Sequence, residues 1–133
     1  MDETYTWMAK AAIAELITRY AALNDAGDWD GVAALYTEAG RMSRPTAPAE
    51  FIDGRAAILA AFRARPARTL RHIVANVLVT LDSDSDARAS SQILLFTQSA
   101  NPPLVGSYHD RLIKTAHGWR FVERRASMDF RAP

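Results

Sequence analysis

Three acids fall within six residues, at Asp25, Asp28 and Asp30, and two of them have ordinary structural uses. Asp28 follows Gly27 and precedes Trp29, Val32 and Leu35, so it suits the N-cap of a helix. Asp30 falls in the first turn of that helix, where the backbone dipole favours an anion. Asp25 stands at the C-terminal end of the preceding helix and has neither use; an acid there is either simply solvated or kept for chemistry. Downstream, His72 lies on a β-branched stretch among aliphatics. An imidazole titrates near neutral pH and suits proton transfer, although a histidine in such a strand is commonly a hydrogen-bonded core residue. His109, in Ser107-Tyr108-His109-Asp110-Arg111, is a second candidate. A hairpin turning on His117-Gly118 puts Asp110 opposite Arg125 and Ser107 opposite Met128, which makes Asp110 an ion-pair member on the face opposite His109. Asp25, His72 and His109 form on paper the two-histidine, one-carboxylate set of non-haem iron enzymes. No HxD or HxxxH spacing supports that set, and no metal is expected.

The elements that position these residues follow from periodicity. Ile13, Leu16, Ile17, Tyr20 and Leu23 recur at three- and four-residue spacing, which predicts a helix over 7–26 with one apolar face. Gly27 supplies the left-handed residue that ends it, and a second helix is predicted over 28–38. A short strand at 39–44, a loop through Pro45 and Pro48, and a few paired residues at Phe51 and Ile52 follow. Asp53 then caps a third helix that stops near Arg65, because Pro66 cannot continue it. The period then changes to two, with strands predicted over 69–82, 87–99, 104–115 and 119–130. Helices first and antiparallel strands afterwards is the α+β pattern, with helices on one face of a curved sheet, in a single domain over 1–133. In the first long strand Ile73, Ala75, Val77, Val79 and Leu81 share one face, and His72, Val74, Asn76, Leu78 and Thr80 the other. Pattern alone allows either face to meet the helices. If the mixed face is covered, it has the composition of a ligand cavity, and the apolar row, with Leu95, needs a subunit interface, which predicts a homodimer or homotrimer.

Composition removes several classes. The chain has 133 residues, 49% of them hydrophobic and 23% charged, with a net charge of +1, so neither nucleic acid nor a membrane is expected as partner. Basic residues at Arg63, Arg65, Arg68 and Arg71 read as a solvated helix end more readily than as a phosphate patch. There is no cysteine, hence no disulfide, thiolate nucleophile or zinc–sulfur site, which fits a cytoplasmic protein. The segment MDETYTWMAK is neither a signal peptide nor a membrane span. Without a Gly-rich phosphate loop, a Walker motif or a GxSxG elbow, no cofactor is expected.

Tyr20, Asp25, Asp28-Trp29-Asp30, then Arg71-His72, then Tyr108 with 110–115 and 118–125, together resemble SnoaL-like proteins of the nuclear transport factor 2-like superfamily. The resemblance covers about residues 7 to 130. It implies a cone: three helices against a strongly curved mixed sheet, with a pocket opening into it. The branch most similar, that of scytalone dehydratase, bile-acid dehydratase and hexachlorocyclohexane dehydrochlorinase, implies cofactor-free elimination by an Asp–His dyad, here Asp25 and His72. It also implies a pocket residue at Ser107, with His109 where the dehydratases have Asn. The two dehydratase tyrosines fall at Asn24 and near Arg44.

Under that reading Tyr20, Asn24, Arg44 and His109 handle an oxyanion or leaving group. Phe62, Val74, Leu78, Leu94 and Phe96 wall the pocket against a small apolar, aromatic, polyketide-like or steroid-like substrate. Three functions remain open at this point: a dehydratase-like lyase or isomerase, a polyketide cyclase or hydroxylase-like enzyme, and a non-catalytic ligand carrier or scaffold.

Overall fold

The structure, a computed structural model, describes residues 1–99 and 101–131. The first helix, α1 (Glu3–Ala26), begins earlier than the periodicity suggests because Asp2 caps it, accepting from the Tyr5 amide at 2.7 Å. It ends at Gly27 (φ 71°), whose N–H reaches the Asn24 carbonyl, while that of Asp28 reaches Leu23. A side chain would resist that left-handed conformation. Asp28 caps α2 (Trp29–Ala33) through the Gly31 amide at 2.9 Å. This helix has five residues, not the eleven of 28–38: Tyr36 already belongs to β1 (Tyr36–Arg44). A tight turn at Pro45-Thr46 joins β1 to β2 (Ala47–Asp53), so the segment expected as a loop is a hairpin. Asp53 ends that strand and caps nothing; Gly54 occupies the N-cap of α3 (Arg55–Arg63), with no side-chain cap.

Four long strands follow: β3 (Leu70–Leu81), β4 (Asp86–Thr97), β5 (Leu104–Thr115) and β6 (Gly118–Arg131). The six strands form one mixed sheet in the order β2-β1-β6-β5-β4-β3, with β1 and β6 parallel and all other neighbours antiparallel. The sheet curves around the helices. Ile13 and Ile17 of α1, Val32 of α2 and Ile58 and Phe62 of α3 pack with Tyr36, Leu112, Trp119 and Phe121 from the sheet as one core. Among the described residues, no helix is long and apolar enough to cross a membrane.

Neither regular face of β3 meets the helices along its whole length. Asn76 has φ 53°, and two residues of β3 oppose one of β4 between the Ala75–Gln92 and Leu78–Ser90 pairs. This β-bulge exchanges the two faces. Before it His72 and Val74 point inward and Ile73 outward; after it Val77, Val79 and Leu81 pack on the core while Leu78 is 71% exposed. The predicted outer row of Ile73, Val77, Val79 and Leu95 therefore does not exist. The outer face instead carries Ile73, Leu94, Val105 and Phe130, which pair successively across β3, β4, β5 and β6.

The last hairpin is displaced too. Its turn is the two residues Ala116 and His117, and a bulge between Arg111 and Leu112 adds one position. Asp110 thus faces Arg124, not Arg125, and Ser107 faces Ser127, not Met128.

Because Asn tolerates the left-handed region and a β-branched residue does not, Asn76→Val should destabilise the fold by about 1–2 kcal/mol. Asn76→Gly should stay within about 1 kcal/mol of the parent. Urea unfolding of both variants checks this, and equal stabilities would mean that the bulge is not under conformational constraint.

Candidate functional site

The last turn of α1 and the first residues of β3 are tied together by one carboxylate. Asp25 accepts the backbone N–H of His72 at 3.0 and 3.2 Å, and His72 Nδ1 lies 2.5 Å from Asp25 Oδ1. The two side chains are only 8% and 12% exposed. With Nδ1–H donating to Asp25, the lone pair sits on Nε2, which has no hydrogen-bond partner among the described residues. This is the way an acid orients an imidazole base.

The His72 ring lines a cavity of about 70 Å³ inside the cone, room for on the order of five waters. Tyr20, Tyr36, Tyr108 and Arg124 line it with Asn24, Phe62 and Ile93, and Arg44, Pro45, Arg65 and Leu95 form part of the wall. Its volume is less than the roughly 150 Å³ that takes up benzene in an engineered protein cavity, so a ring-sized molecule would fill it and reach out through its mouth.

The polar side of the cavity rests on a buried ion pair. Arg124 is 1% exposed and donates from Nε to Asp110 Oδ1 at 3.1 Å and from Nη2 to Oδ2 at 3.5 Å. Its guanidinium lies 3.6 Å from the ring centre of Tyr108 and 4.3 Å from that of Tyr20. Burial opposes the Arg124 charge, but Asp110 and the surrounding phenols outweigh it and hold its pKa above the ordinary value. Burial pushes the Asp110 carboxyl up to about 6 against the pull of Arg124, so at pH 7 it is still ionised. Truncating one member of such a pair strands the other charge, at about 3–5 kcal/mol.

Three phenols stand over this pair. The hydroxyls of Tyr20 and Tyr36 are 2.8 Å apart. Burial pushes Tyr20 up to about 12 and raises Tyr36 and Tyr108 as well, so all three remain neutral O–H groups. Two buried polar atoms of cavity-lining residues have no partner: Arg124 Nη1, a donor, and Asn24 Oδ1, an acceptor. Buried polar atoms are rarely left unpaired without a ligand or water to meet them.

Of the residues singled out in the sequence, Asp25 and His72 are brought together, and Tyr20, Asn24, Arg44 and Phe62 line the same cavity. Val74 is half-buried and faces inward, packed on Ile93. Ser107, His109 and Phe96 lie on the outer face: His109 and Phe96 are exposed, and Ser107 donates to Asp129 at 2.6 Å. Leu78 and Leu94 lie outside as well. His109 is thus across the sheet from His72, and the two-histidine iron set is not assembled. The inward residues of β5 are Tyr108, Asp110 and Leu112. Leu112 is the signal that could have fixed this parity, since the alternative face carries Arg111. Tyr36 was hidden inside an overlong helix, and Arg124 looks like any surface arginine in Glu123-Arg124-Arg125.

The chain belongs to the SnoaL-like family, whose domain it matches over residues 6–125. Among solved structures, it superposes on a protein from Novosphingobium aromaticivorans provisionally assigned as a scytalone dehydratase, with TM-score 0.86 and 21% identity over 98% of this chain and 91% of that one. A hexachlorocyclohexane dehydrochlorinase from Novosphingobium barchaimii gives TM-score 0.85 at 13% identity, over 99% and 94% of the two chains. Rv3472 of Mycobacterium tuberculosis, a protein of unknown function, gives 0.80 at 27% identity over 93% and 73%. These likenesses establish the α+β cone fold. No functionally curated protein matches the sequence at a significant level.

Proposed function

We propose that the chain is a cofactor-free enzyme of the lyase or isomerase type, which removes a proton from carbon in a small ring-sized substrate. The observation that carries this reading is the Asp25–His72 hydrogen bond at the edge of a largely apolar cavity. His72 Nε2 takes the proton from a carbon beside a carbonyl. Asp25 holds the ring orientation and steadies the imidazolium that forms. The electron pair moves onto the carbonyl oxygen, and Arg124 Nη1 with a neutral phenol donates to the enolate. Loss of a β leaving group then gives elimination; return of the proton elsewhere gives isomerisation. Ring closure by a cyclase begins with the same abstraction. The tyrosines absent at positions 24 and 44 are replaced in kind by Tyr20, Tyr36 and Tyr108, which favours catalysis over simple carriage.

Hydrogen-to-deuterium exchange at carbon tests the abstraction without knowledge of the final product. In D2O, a panel of small cyclic ketones and β-hydroxyketones followed by proton NMR should show catalysed exchange for at least one member. His72→Gln and Asp25→Asn should each slow it by on the order of a hundredfold or more, with unchanged circular dichroism. Exchange that survives His72→Gln would refute the base assignment, and a protein that binds members of the panel but exchanges none is a carrier.

We also infer that the outer row of Ile73, Leu94, Val105 and Phe130 is covered by a second copy of the chain, since Ile73 is 52% and Phe130 61% exposed on a continuous apolar strip. Sedimentation should show a dimer or trimer at micromolar concentration, and Phe130→Glu should shift it to monomer. A parent protein that sediments only as monomer contradicts this.

A further inference from the structure

The mouth of the cavity carries two guanidinium groups without partners. Arg44 ends β1, and Arg65 lies two residues beyond α3 with its guanidinium 4.3 Å from the Phe62 ring centre. Both line the cavity that His72 and Arg124 line. Elsewhere Arg19, Arg41, Arg63 and Arg88 each have a carboxylate partner. Among the described residues, the Arg44 and Arg65 side chains have neither a carboxylate nor a hydrogen bond. Among the described residues no acid lines the cavity: Asp25 and Asp110 lie behind His72 and Arg124, already engaged by them. Three arginines therefore line one small space, Arg44 from its exposed rim, Arg65 half-buried and Arg124 innermost, and Arg124 Nη1 has no hydrogen-bond partner. Burial lowers the Arg65 pKa; Tyr20 opposes that lowering, and the like charge of Arg44 adds to it. Such crowding is relieved by an anion, and the planar guanidinium fork fits a carboxylate in particular.

We propose, resting on the reading of His72 as the cavity base, that the substrate is a monocarboxylate of about single-ring size whose carboxylate is held by Arg44 and Arg65. The small volume puts the carboxylate and the acidic carbon in one compact molecule. The mouth arginines fix its charged end, while a carbonyl further in meets Arg124 Nη1 and the C–H faces His72 Nε2. Arg44 and Arg65 are then specificity-determining residues. Arg65 is the one member of the basic run 63–71 that enters the site: Arg63 pairs with Asp30 at 2.8 Å, and Arg71 donates to the Leu70 carbonyl.

The test is calorimetric binding of a charged and a neutral probe of equal size, benzoate and benzamide, to the parent protein and to Arg44→Gln, Arg65→Gln, the double variant and His72→Gln. Benzoate should bind the parent at least about tenfold more tightly than benzamide. That preference should weaken in each single variant and fall to within about twofold in the double variant. Raising the salt from about 0.05 to about 0.5 M should weaken benzoate alone. His72→Gln should keep the preference, so the result does not depend on whether His72 is a base. Equal affinities, absence of benzoate binding, or a preference that persists in the double variant would each overturn the inference. Loss of exchange in His72→Gln, by contrast, bears only on the enzyme reading.

Discussion

A single backbone conformation decides what this fold can hold. At Asn76 the chain takes φ 53°, and the extra residue turns β3 over. A regular strand shows one set of side chains to the helices from end to end. Here such a strand would have to choose between bringing His72 and Val74 inside and closing the core with Val77, Val79 and Leu81. The bulge lets the first half line the cavity and the second half pack on α1. It also bends the sheet, as bulges do, and so helps form the cone. Asn suits the position because it enters the left-handed region at low cost, and its amide donates to the Gln92 side chain.

On that frame the polar groups of the interior are arranged in two layers. Asp25 is spent on His72, by the ring and by the backbone N–H, so the helix end and the strand start share one anchor. Asp110 is spent on Arg124, which in turn lies against the faces of Tyr20 and Tyr108. In each layer an acid lies behind and holds in place a group that faces the cavity. Burying these charges costs several kcal/mol per ion, and the hydrophobic core of the three helices and the sheet must offset it. What results is a small, largely apolar space with one nitrogen lone pair, one cationic N–H and several neutral hydroxyls already in place. Preorganised groups of this kind stabilise charge as it develops without needing to reorient.

Much of this was legible from local chemistry. Gly27 and Asp28 mark the α1–α2 junction unambiguously, because one supplies a left-handed stop and the other a cap. The change of period near residue 69 separates helices from strands. The resemblance to SnoaL-like proteins implied the cone and put Asp25 beside His72. What sequence did not disclose was register. A one-residue displacement reverses every side chain of a strand, and several displacements occur here, among them the bulge at Asn76, the bulge before Leu112, and the two-residue turn at Ala116-His117. They moved the partner of Asp110 from Arg125 to Arg124; Ser107 and His109 were pointed to as cavity residues by the resemblance to the dehydratases and lie on the other face. Arg124 was invisible for a further reason: a buried arginine is defined by its partners, and its ion-pair partner Asp110 and the rings of Tyr20 and Tyr108 lie fourteen or more residues away.

The central claim is that Asp25 fixes His72 in the tautomer whose Nε2 lone pair faces the cavity. Nitrogen-15 NMR of the histidine rings at a pH where His72 is neutral reads this directly. His72 should show a protonated Nδ1 and an unprotonated Nε2, with that preference lost in Asp25→Asn. A neutral His72 protonated at Nε2, or a tautomer indifferent to Asp25→Asn, would contradict it.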